Sequence, residues 1–482
     1  MALELYSSLS KTIERFKPLR DREVKIYTCG PTVYGFPHIG NYRTYLSWDL
    51  VRRTLIFLDY RVTHVMNITD VGHLTDDDIL ASDLGEDKME KAAKRENKTV
   101  WDIAKFYEED FLSTLDTLHI DHADHITRAT DHIQEMIEMI QILIEKGHAY
   151  VTETGVYYDI KSFPKYGDLS GNTLKELQAH ASGRVEEREE KHSQHDFVLW
   201  VVGKEQTMMW DSPWGRGYPG WHIECSAMAK KYLGDQLDIH GGAVDNKFPH
   251  HECEIAQSEG ANKKKPFVKY WTHAGHMTVD GEKMSKSKGN IIVPKDIQAK
   301  GYTLRTYRLM CLMAHYRSSM DFSWKSMEQS KTMIASFDRF LERVEDIPDG
   351  GEVTKTFSTL LNETLGKMVE ALEADFNTPL FFSEYFEFMR VVNSMMDHDN
   401  VSGPEADATL AFIETIDSVV EVLLPWEEDE VEVPSHILAL SEERVKAKQA
   451  KDFGKADEIR KQIEEEGFML EDGKDGTKVR RK

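Results

Sequence analysis

Cysteine is scarce: the 482 residues hold four, at positions 29, 225, 253 and 311, with no framework spacing between them. That excludes a small disulfide-stapled fold and leaves metal ligation or core packing as their uses. Long apolar runs are missing too. No segment approaches the roughly 20 apolar residues that span a bilayer, and the opening MALELYSSLSKTIERF has no apolar stretch of signal-peptide length. The chain is therefore expected to be cytoplasmic, with no membrane partner. Positive charge is in deficit, 60 Lys and Arg against 84 Asp and Glu, for a formal charge of −24. A surface given over wholly to polyanions is thereby excluded. Local basic runs, Lys263-Lys264-Lys265 and the terminal Lys478, Arg480, Arg481 and Lys482, fit either a confined RNA track or ordinary solvated surface.

What is present reads as several domains, about three for this length. Val24 to Cys29 has the apolar character of a short buried strand, Gly30-Pro31 forces a turn, and a helix is expected from near Asn41, with a second strand from Arg61 to Ile68. This strand, helix, strand rhythm predicts an α/β fold, a doubly wound parallel sheet with its ligand site at the carboxyl strand ends. Residues 100–146 look helical, with Ile133, Met136, Ile137, Ile140 and Leu143 in register, and 150–160 alternates like a hairpin. Strand and Gly-rich turn signals resume only at Leu237 to Gly242, so 120–210 reads as an insertion. Two punctuated acidic stretches, Asp346 to Gly351 and Pro425 to Pro434, bracket three helical segments. Leu361, Leu365, Met368, Val369 and Leu372 share one face, as do Phe382, Tyr385, Met389, Val392 and Met396, which predicts a helical bundle. A small charged tail domain follows, expected to contain one long helix over 441–466.

Two short motifs carry the chemistry. His38-Ile39-Gly40-Asn41 opens a helix, whose unpaired N–H groups and imidazole suit a triphosphate; Lys283-Met284-Ser285-Lys286-Ser287 puts two lysines on a loop, where they can neutralise charge on departing pyrophosphate. In this order the pair resembles the HIGH and KMSKS motifs of class I aminoacyl-tRNA synthetases, with Asn41 in place of the second His. Asn still donates to a phosphate oxygen. A further cluster is spread along the chain: Cys29 at the end of the first strand, Cys225 in Trp221-His222-Ile223-Glu224-Cys225, and His250 and Glu254 four apart on one helix face. Two thiolates, an imidazole and a carboxylate form a plausible Zn²⁺ set. Two buried core cysteines beside a polar helix start would give the same spacing.

The runs TCGPTVYG, PGWHIECSAM, HGG…D…FPHHECEIAQSE and KMSKSKGN narrow the resemblance to the cysteinyl-tRNA synthetase family, over essentially the whole chain. The resemblance implies a Rossmann-like, HUP-type catalytic domain in two halves, 1–119 and 211–270, around a connective insertion at 120–210. A KMSKS-loop and stem-contact region at 271–345, a helical-bundle tRNA-binding domain at 354–424 and an anticodon-binding domain at 435–482 would follow. It implies one zinc per chain, held by Cys29, Cys225, His250 and Glu254 and binding the substrate thiol. Cysteine and serine differ by one atom, too little for a pocket to sort by size, whereas a soft thiolate on zinc is favoured over a hydroxyl by several kcal/mol on the order expected for such contacts. Trp221, Thr69 and His222 are implied as substrate-binding residues, Trp221 as an indole floor.

The implied partners are ATP with Mg²⁺, L-cysteine and tRNA(Cys), for a monomeric enzyme. Cysteine would be activated to cysteinyl-adenylate with release of pyrophosphate and then transferred to the 3′ end of the tRNA. His38, Gly40 and Asn41 would contact phosphates, Lys283 and Lys286 would follow the β,γ-phosphates, and Gly241, Gly242 and Asp245 would hold adenosine. In the tail, Phe453 would stack on an anticodon base while Asp457 and Asp472 accept from base edges. Departures from the family pattern are Cys253 for Asn, Ala243 for a third Gly, Val201 for Lys, Phe453 for Trp and Val479 for an aromatic. Cys253 could crowd the metal or replace Glu254. Two alternatives stand beside this reading, a cysteine:amino-sugar ligase of the same fold and a non-catalytic tRNA-binding paralogue. Residues 354–482 argue against the first, and intact KMSKS and zinc-ligand positions against the second.

Overall fold

The structure, a computed structural model, describes residues 2–71, 88–172, 190–203, 206–285, 288–426, 435–450, 452–466, 468–473 and 476–481. It divides into two compact units, residues 1–423 and 424–482.

An N-terminal hairpin, β1 (Glu4–Ser7) and β2 (Thr12–Arg15), precedes the main sheet. Strand β3 (Glu23–Thr28) feeds helix α1 (Ile39–Phe57), which returns to β4 (Arg61–Ile68). Helix α1 is apolar or buried nearly all round, with 13 of its 19 residues buried, so it runs through the interior rather than over the surface. Helices α2 (Lys88–Glu96) and α3 (Val100–Thr117) lead to a short strand β5 (His125–Arg128) and helix α4 (Ile133–Glu145). Strand β5 pairs in parallel with β4, Val65 opposite His125, so the main sheet continues into the stretch read from sequence as insertion. Four polar-flanked residues between two helices give no strand signal of their own.

The rest of 120–210 is built around an antiparallel sheet of β6 (Ala149–Val151), β7 (Gly155–Tyr158), β8 (Phe197–Val202) and β9 (Gly217–Pro219). Helix α5 (Trp221–Leu233) and strand β10 (Leu237–Ala243) return the chain to the main sheet, followed by α6 (His250–Ala261) and β11 (Val268–Ala274). The sheet order is β11-β10-β3-β4-β5, all parallel. Connections leave β3 in one direction and come back to β10 on its other side. The β3/β10 seam is therefore the topological switch point, where a doubly wound sheet opens a crevice at its carboxyl edge.

A three-stranded sheet of β12 (Met277–Val279), β13 (Glu282–Lys283) and β14 (Met320–Phe322) carries the lysine motif. Helices α7 (Pro294–Ala299) and α8 (Leu304–Leu312) lie between β13 and β14 in sequence. The bundle is α9 (Trp324–Glu345), α10 (Lys355–Glu373), α11 (Thr378–Met396) and α12 (Gly403–Val420). Its Met and aromatic stripes are core: Met368, Phe382, Tyr385 and Val392 are all fully buried.

The second unit contains α13 (Ser435–Gln449), α14 (Phe453–Glu465) and the hairpin β15 (Phe468–Gly473) and β16 (Gly476–Arg481). Ile437, Ile459, Ile463 and Leu470 form its core. The single helix expected over 441–466 is in fact two. Asp452 interrupts it by accepting from the Lys455 amide at 3.1 Å, and so starts a new helix at Phe453.

Candidate active site

Cys29 lies just past the end of β3, and its amide donates to the Gly241 carbonyl on β10 at 3.1 Å, so the first cysteine sits on the switch-point seam. Helix α5 starts one turn before Cys225 and buries it, while α6 presents His250 and Glu254 from successive turns. Donor atoms of Cys29, Cys225, His250 and Glu254 all lie within 4.8 Å of one another. A second grouping, Cys29, His240, His251 and Glu254, satisfies the same distance, sharing two members with the first.

The electrostatics of the first set ask for a cation. Burial alone would raise the Glu254 carboxyl, but His240 and His250 carry it down to about 2. Burial would lower His250, yet Glu254 and Cys225 push it up to about 10. Burial drives the Cys225 thiol well up, helped by Cys29 and Glu254. In Cys29 the hydrogen bond with Cys225 works downward, and burial with Glu254 overrides it. The cluster thus holds protons where a divalent ion would supply the charge, and metal loading would release them. His250 Nε2 lies 3.0 Å from Glu254 Oε1, while that oxygen is buried without a hydrogen bond. His222 Nδ1 lies 2.9 Å from His250 Nδ1 and fixes the ring, leaving Nε2 for a ligand. His240 Nε2, by contrast, is already spent on Glu254 Oε2 at 2.9 Å. The residues fit a soft or borderline metal such as Zn²⁺, and the Cys₂HisGlu set fits better than the alternative. Cys253 does not belong to either group; its sulfur is 3.3 Å from the Tyr166 hydroxyl.

Beside this cluster lies a cavity of 490 Å³ whose wall runs from Cys29 through the loop at 30–37 to His38 and Asn41. His38 caps α1, and a reciprocal capping box explains why Asn serves at position 41. His38 Nδ1 accepts from the Asn41 amide at 3.2 Å and Asn41 Oδ1 accepts from the His38 amide at 3.0 Å. Burial, joined by nearby Lys283, lowers the His38 imidazole. With Nδ1 accepting, the neutral ring carries its proton on Nε2, a donor for a phosphoryl oxygen.

The two motifs meet. Met284 Cε would lie 2.8 Å from a Cβ placed on Gly40, and the Ile39 amide donates to Ile292 just beyond the lysine loop at 2.9 Å. Arg43 on α1 donates to the carbonyls of Gly275 and His276 at 2.8 Å each, fixing the base of β12. Lys283 and His276 both face Asp245, at 3.5 and 3.3 Å. Asn290 staples the loop, accepting from the Ser285 amide at 2.9 Å and donating to the Lys283 carbonyl at 3.2 Å. Lys286 lies outside the described residues.

Other sequence-predicted residues fall as follows. Trp221 is half-buried with its ring 4.7 Å from that of His250. Thr69 is buried beneath the loop and donates to Glu224 Oε2 at 2.8 Å, outside the cavity lining. Gly241 and Gly242 have a packing reason to be glycine: a Cβ would meet the Trp48 ring at 2.8 Å and the His251 ring at 2.7 Å. Ala243 and Asn246, one step further on, line the cavity instead. Arg95 and Tyr107 line it too, and no sequence motif marks them. In the second unit Phe453 is 63 % exposed, so it is no core anchor, and Asp457 is exposed on the same helix. The Asp472 side chain lies outside the described residues, although its backbone pairs with Thr477. Among the described residues no helix is long and apolar enough to cross a membrane.

Known proteins resemble this chain over most of its length. Residues 15–332 match the family described as tRNA synthetases class I (C) catalytic domain. A Cysteine–tRNA ligase of Chlorobaculum tepidum is 40% identical over 490 residues, covering 99% of this chain and 98% of that protein. One of Treponema denticola is 40% identical over 499 residues, covering 98% of each. Among solved structures, a Mycobacterium tuberculosis methionyl-tRNA synthetase in complex with methionyl-adenylate superposes with a TM-score of 0.57 at 15% identity, over 82% of this chain and 89% of that one. The LeuRS of an Agrobacterium radiobacter ternary complex gives 0.61 at 10% identity, over 84% and 85%. These last two speak to the fold alone.

Proposed function

This chain belongs to the cysteine–tRNA ligase family of class I aminoacyl-tRNA synthetases, and from that premise we propose how its residues divide the work. The enzyme activates L-cysteine with ATP and joins it to tRNA. The observation that carries the reading is the contact between a Cys₂HisGlu cluster and the phosphate-facing cavity at one switch point.

Cys29, Cys225, His250 and Glu254 would hold one Zn²⁺, which when bound would supply a soft Lewis acid favouring a thiolate over a hydroxyl. Trp221 floors the amino-acid site against the His250 ring, His222 fixes the orientation of His250, and Thr69 steadies Glu224 behind it. The substrate carboxylate attacks the α-phosphate in line and pyrophosphate leaves; a terminal ribose hydroxyl of the tRNA then attacks the carbonyl and AMP leaves. Catalysis is positioning and charge stabilisation. His38 Nε2–H, the Gly40 backbone and the Asn41 side-chain Nδ2–H serve the phosphates from the start of α1, the Asn41 backbone amide being held by the cap. Lys283 and Lys286 neutralise the departing β,γ-phosphates of the substrate Mg-ATP. Lys283 must first leave Asp245 Oδ1, and that oxygen then accepts from a ribose hydroxyl beside the β10 turn at Gly241 and Gly242 while His276 stays on Oδ2. In the second unit exposed Phe453 stacks on a base of tRNA(Cys), with Asp457 and Asp472 reading base edges. The enzyme acts as a monomer in the cytoplasm.

The test is Cys225→Ser in ATP–pyrophosphate exchange. A collapse of the preference for cysteine over serine supports thiol selection at the cluster, and full retention of that preference overturns it.

A further inference from the structure

Helix α2 ends at Glu96 and α3 begins at Val100, and this tight turn brings Arg95, Glu96 and Tyr107 together. The Tyr107 hydroxyl donates to Glu96 Oε1 at 2.5 Å. Arg95 Nη2 donates to the same oxygen at 2.7 Å and to the Tyr107 hydroxyl at 3.3 Å. A guanidinium gripped by one nitrogen keeps the others for something else: among the described residues, Nη1 and Nε have no hydrogen-bond partner. The side chain is 56 % exposed, and the space it opens onto is the catalytic cavity, which Arg95 and Tyr107 line together with His38 and Asn41.

The wall is fixed to the histidine motif. Tyr107 meets Phe36 edge-on at 4.9 Å, two residues before His38. Lys295 lies over the Phe36 ring at 4.9 Å and pairs with Asp110 on α3 at 2.5 Å, so helix and loop are braced as one piece. The charge state is also fixed. Hydrogen bonds from Tyr107 and Arg95 lower the Glu96 carboxyl, and burial holds the Tyr107 phenol up at about 12, so it remains a donor. Glu96 is shared with Lys98 at 3.7 Å, so the positive charge of Arg95 is not cancelled one for one. A planar, always-charged fork held in this way matches the geometry of a phosphoryl group.

We propose that Arg95 is a phosphoryl-binding residue of the catalytic cavity, oriented by Tyr107 and Glu96 so that Nη1 and Nε serve a phosphate oxygen. The assignment rests on the ligase reading for the identity of the phosphate: the triphosphate of ATP, or the phosphodiester at the 3′ end of the RNA. ATP and, separately, an RNA hairpin with an unpaired 3′ strand are titrated calorimetrically into wild-type protein and Arg95→Ala, with cysteine-dependent pyrophosphate exchange run alongside. Arg95 is exposed at a helix end, so the variant should fold, and an unchanged thermal midpoint verifies it. Loss of one charge-assisted contact should weaken binding about ten- to hundredfold. Weaker ATP binding assigns the contact to the nucleotide; weaker RNA binding with ATP unchanged assigns it to the acceptor end. If both affinities stay within twofold of wild type, the assignment is overturned. Wild-type protein that shows no exchange, with ATP affinity still lost in Arg95→Ala, would remove the ligase reading and keep the phosphoryl contact.

Discussion

Replacing Arg308 by methionine should cost this protein more stability than any surface change, because four hydrogen bonds, one of them a buried charge pair, end on that guanidinium. Arg308 and Asp49 are both fully buried, 2.5 Å apart. Arg308 also donates to the carbonyls of Val420 at 2.8 Å, Leu118 at 3.1 Å and His119 at 3.0 Å, tying α8 to α1, to the end of α3 and to the bundle helix α12. In Arg308→Met the His119 carbonyl keeps Arg53, and Asp49 keeps Arg53 and the Asp121 amide. The Val420 and Leu118 carbonyls lose a buried donor, at about 1–3 kcal/mol each. Breaking one side of a buried pair costs about 3–5 kcal/mol, and the remaining Arg53 contact places this case at the low end. The sum, after overlap between the two figures, is on the order of 5 kcal/mol.

Urea unfolding followed by tryptophan fluorescence reads it, since every tryptophan but Trp426 lies in residues 1–423. The deficit should also depend on pH with a definite sign. Burial would raise Asp49, but Arg308 and Arg53 bring its folded value below the ordinary carboxylate range. Its contribution is therefore present above the unfolded value near pH 4 and lost as pH falls through the folded one. The gap between wild type and Arg308→Met should narrow on acidification below that point. A loss under about 1 kcal/mol at pH 7, or a gap that widens in acid, would refute the reasoning.

Three further outcomes follow from the same geometry. Cys253→Ala should keep one equivalent of metal by elemental analysis while Glu254→Gln drops at least about tenfold in affinity, because only Glu254 belongs to the donor cluster; the reverse pattern would exchange their roles. Gly30→Ala should destabilise by about 3 kcal/mol or more in thermal unfolding, since its Cβ would sit 1.8 Å from the Asn67 carbonyl oxygen and backbone must move. Phe453→Ala removes an exposed ring, so the melting temperature should hold while the KM for tRNA in charging rises about tenfold and pyrophosphate exchange is unchanged; equal loss of charging and exchange would count against a role in RNA binding.

The central strand, helix, strand unit was legible because β3 and β4 are short segments rich in Val and Ile on either side of a helix, with Gly30-Pro31 marking the turn out of β3 and the His38 motif opening the helix. The Cys₂HisGlu donors were legible as residue types only. What gathers them is parallel pairing of β3 with β10, a long-range contact that no local pattern encodes. Strand β5 escaped because four residues between helices take their conformation from the β4 edge. The glycines at 241 and 242 were read for the ligand, whereas Trp48 and His251 already require them. Arg95 gave no signal at all: its meaning comes from a tyrosine twelve residues on and a cavity built by four separate segments.

The claim at the centre is that the buried cluster chooses the amino acid. Cysteine-dependent ATP–pyrophosphate exchange, with serine as the competing substrate, measured before and after chelation of the protein's metal and again after Zn²⁺ is restored, tests it most directly. Selectivity for cysteine that disappears on stripping and returns with Zn²⁺ is the predicted result; cysteine selectivity that survives complete removal of metal would contradict the account.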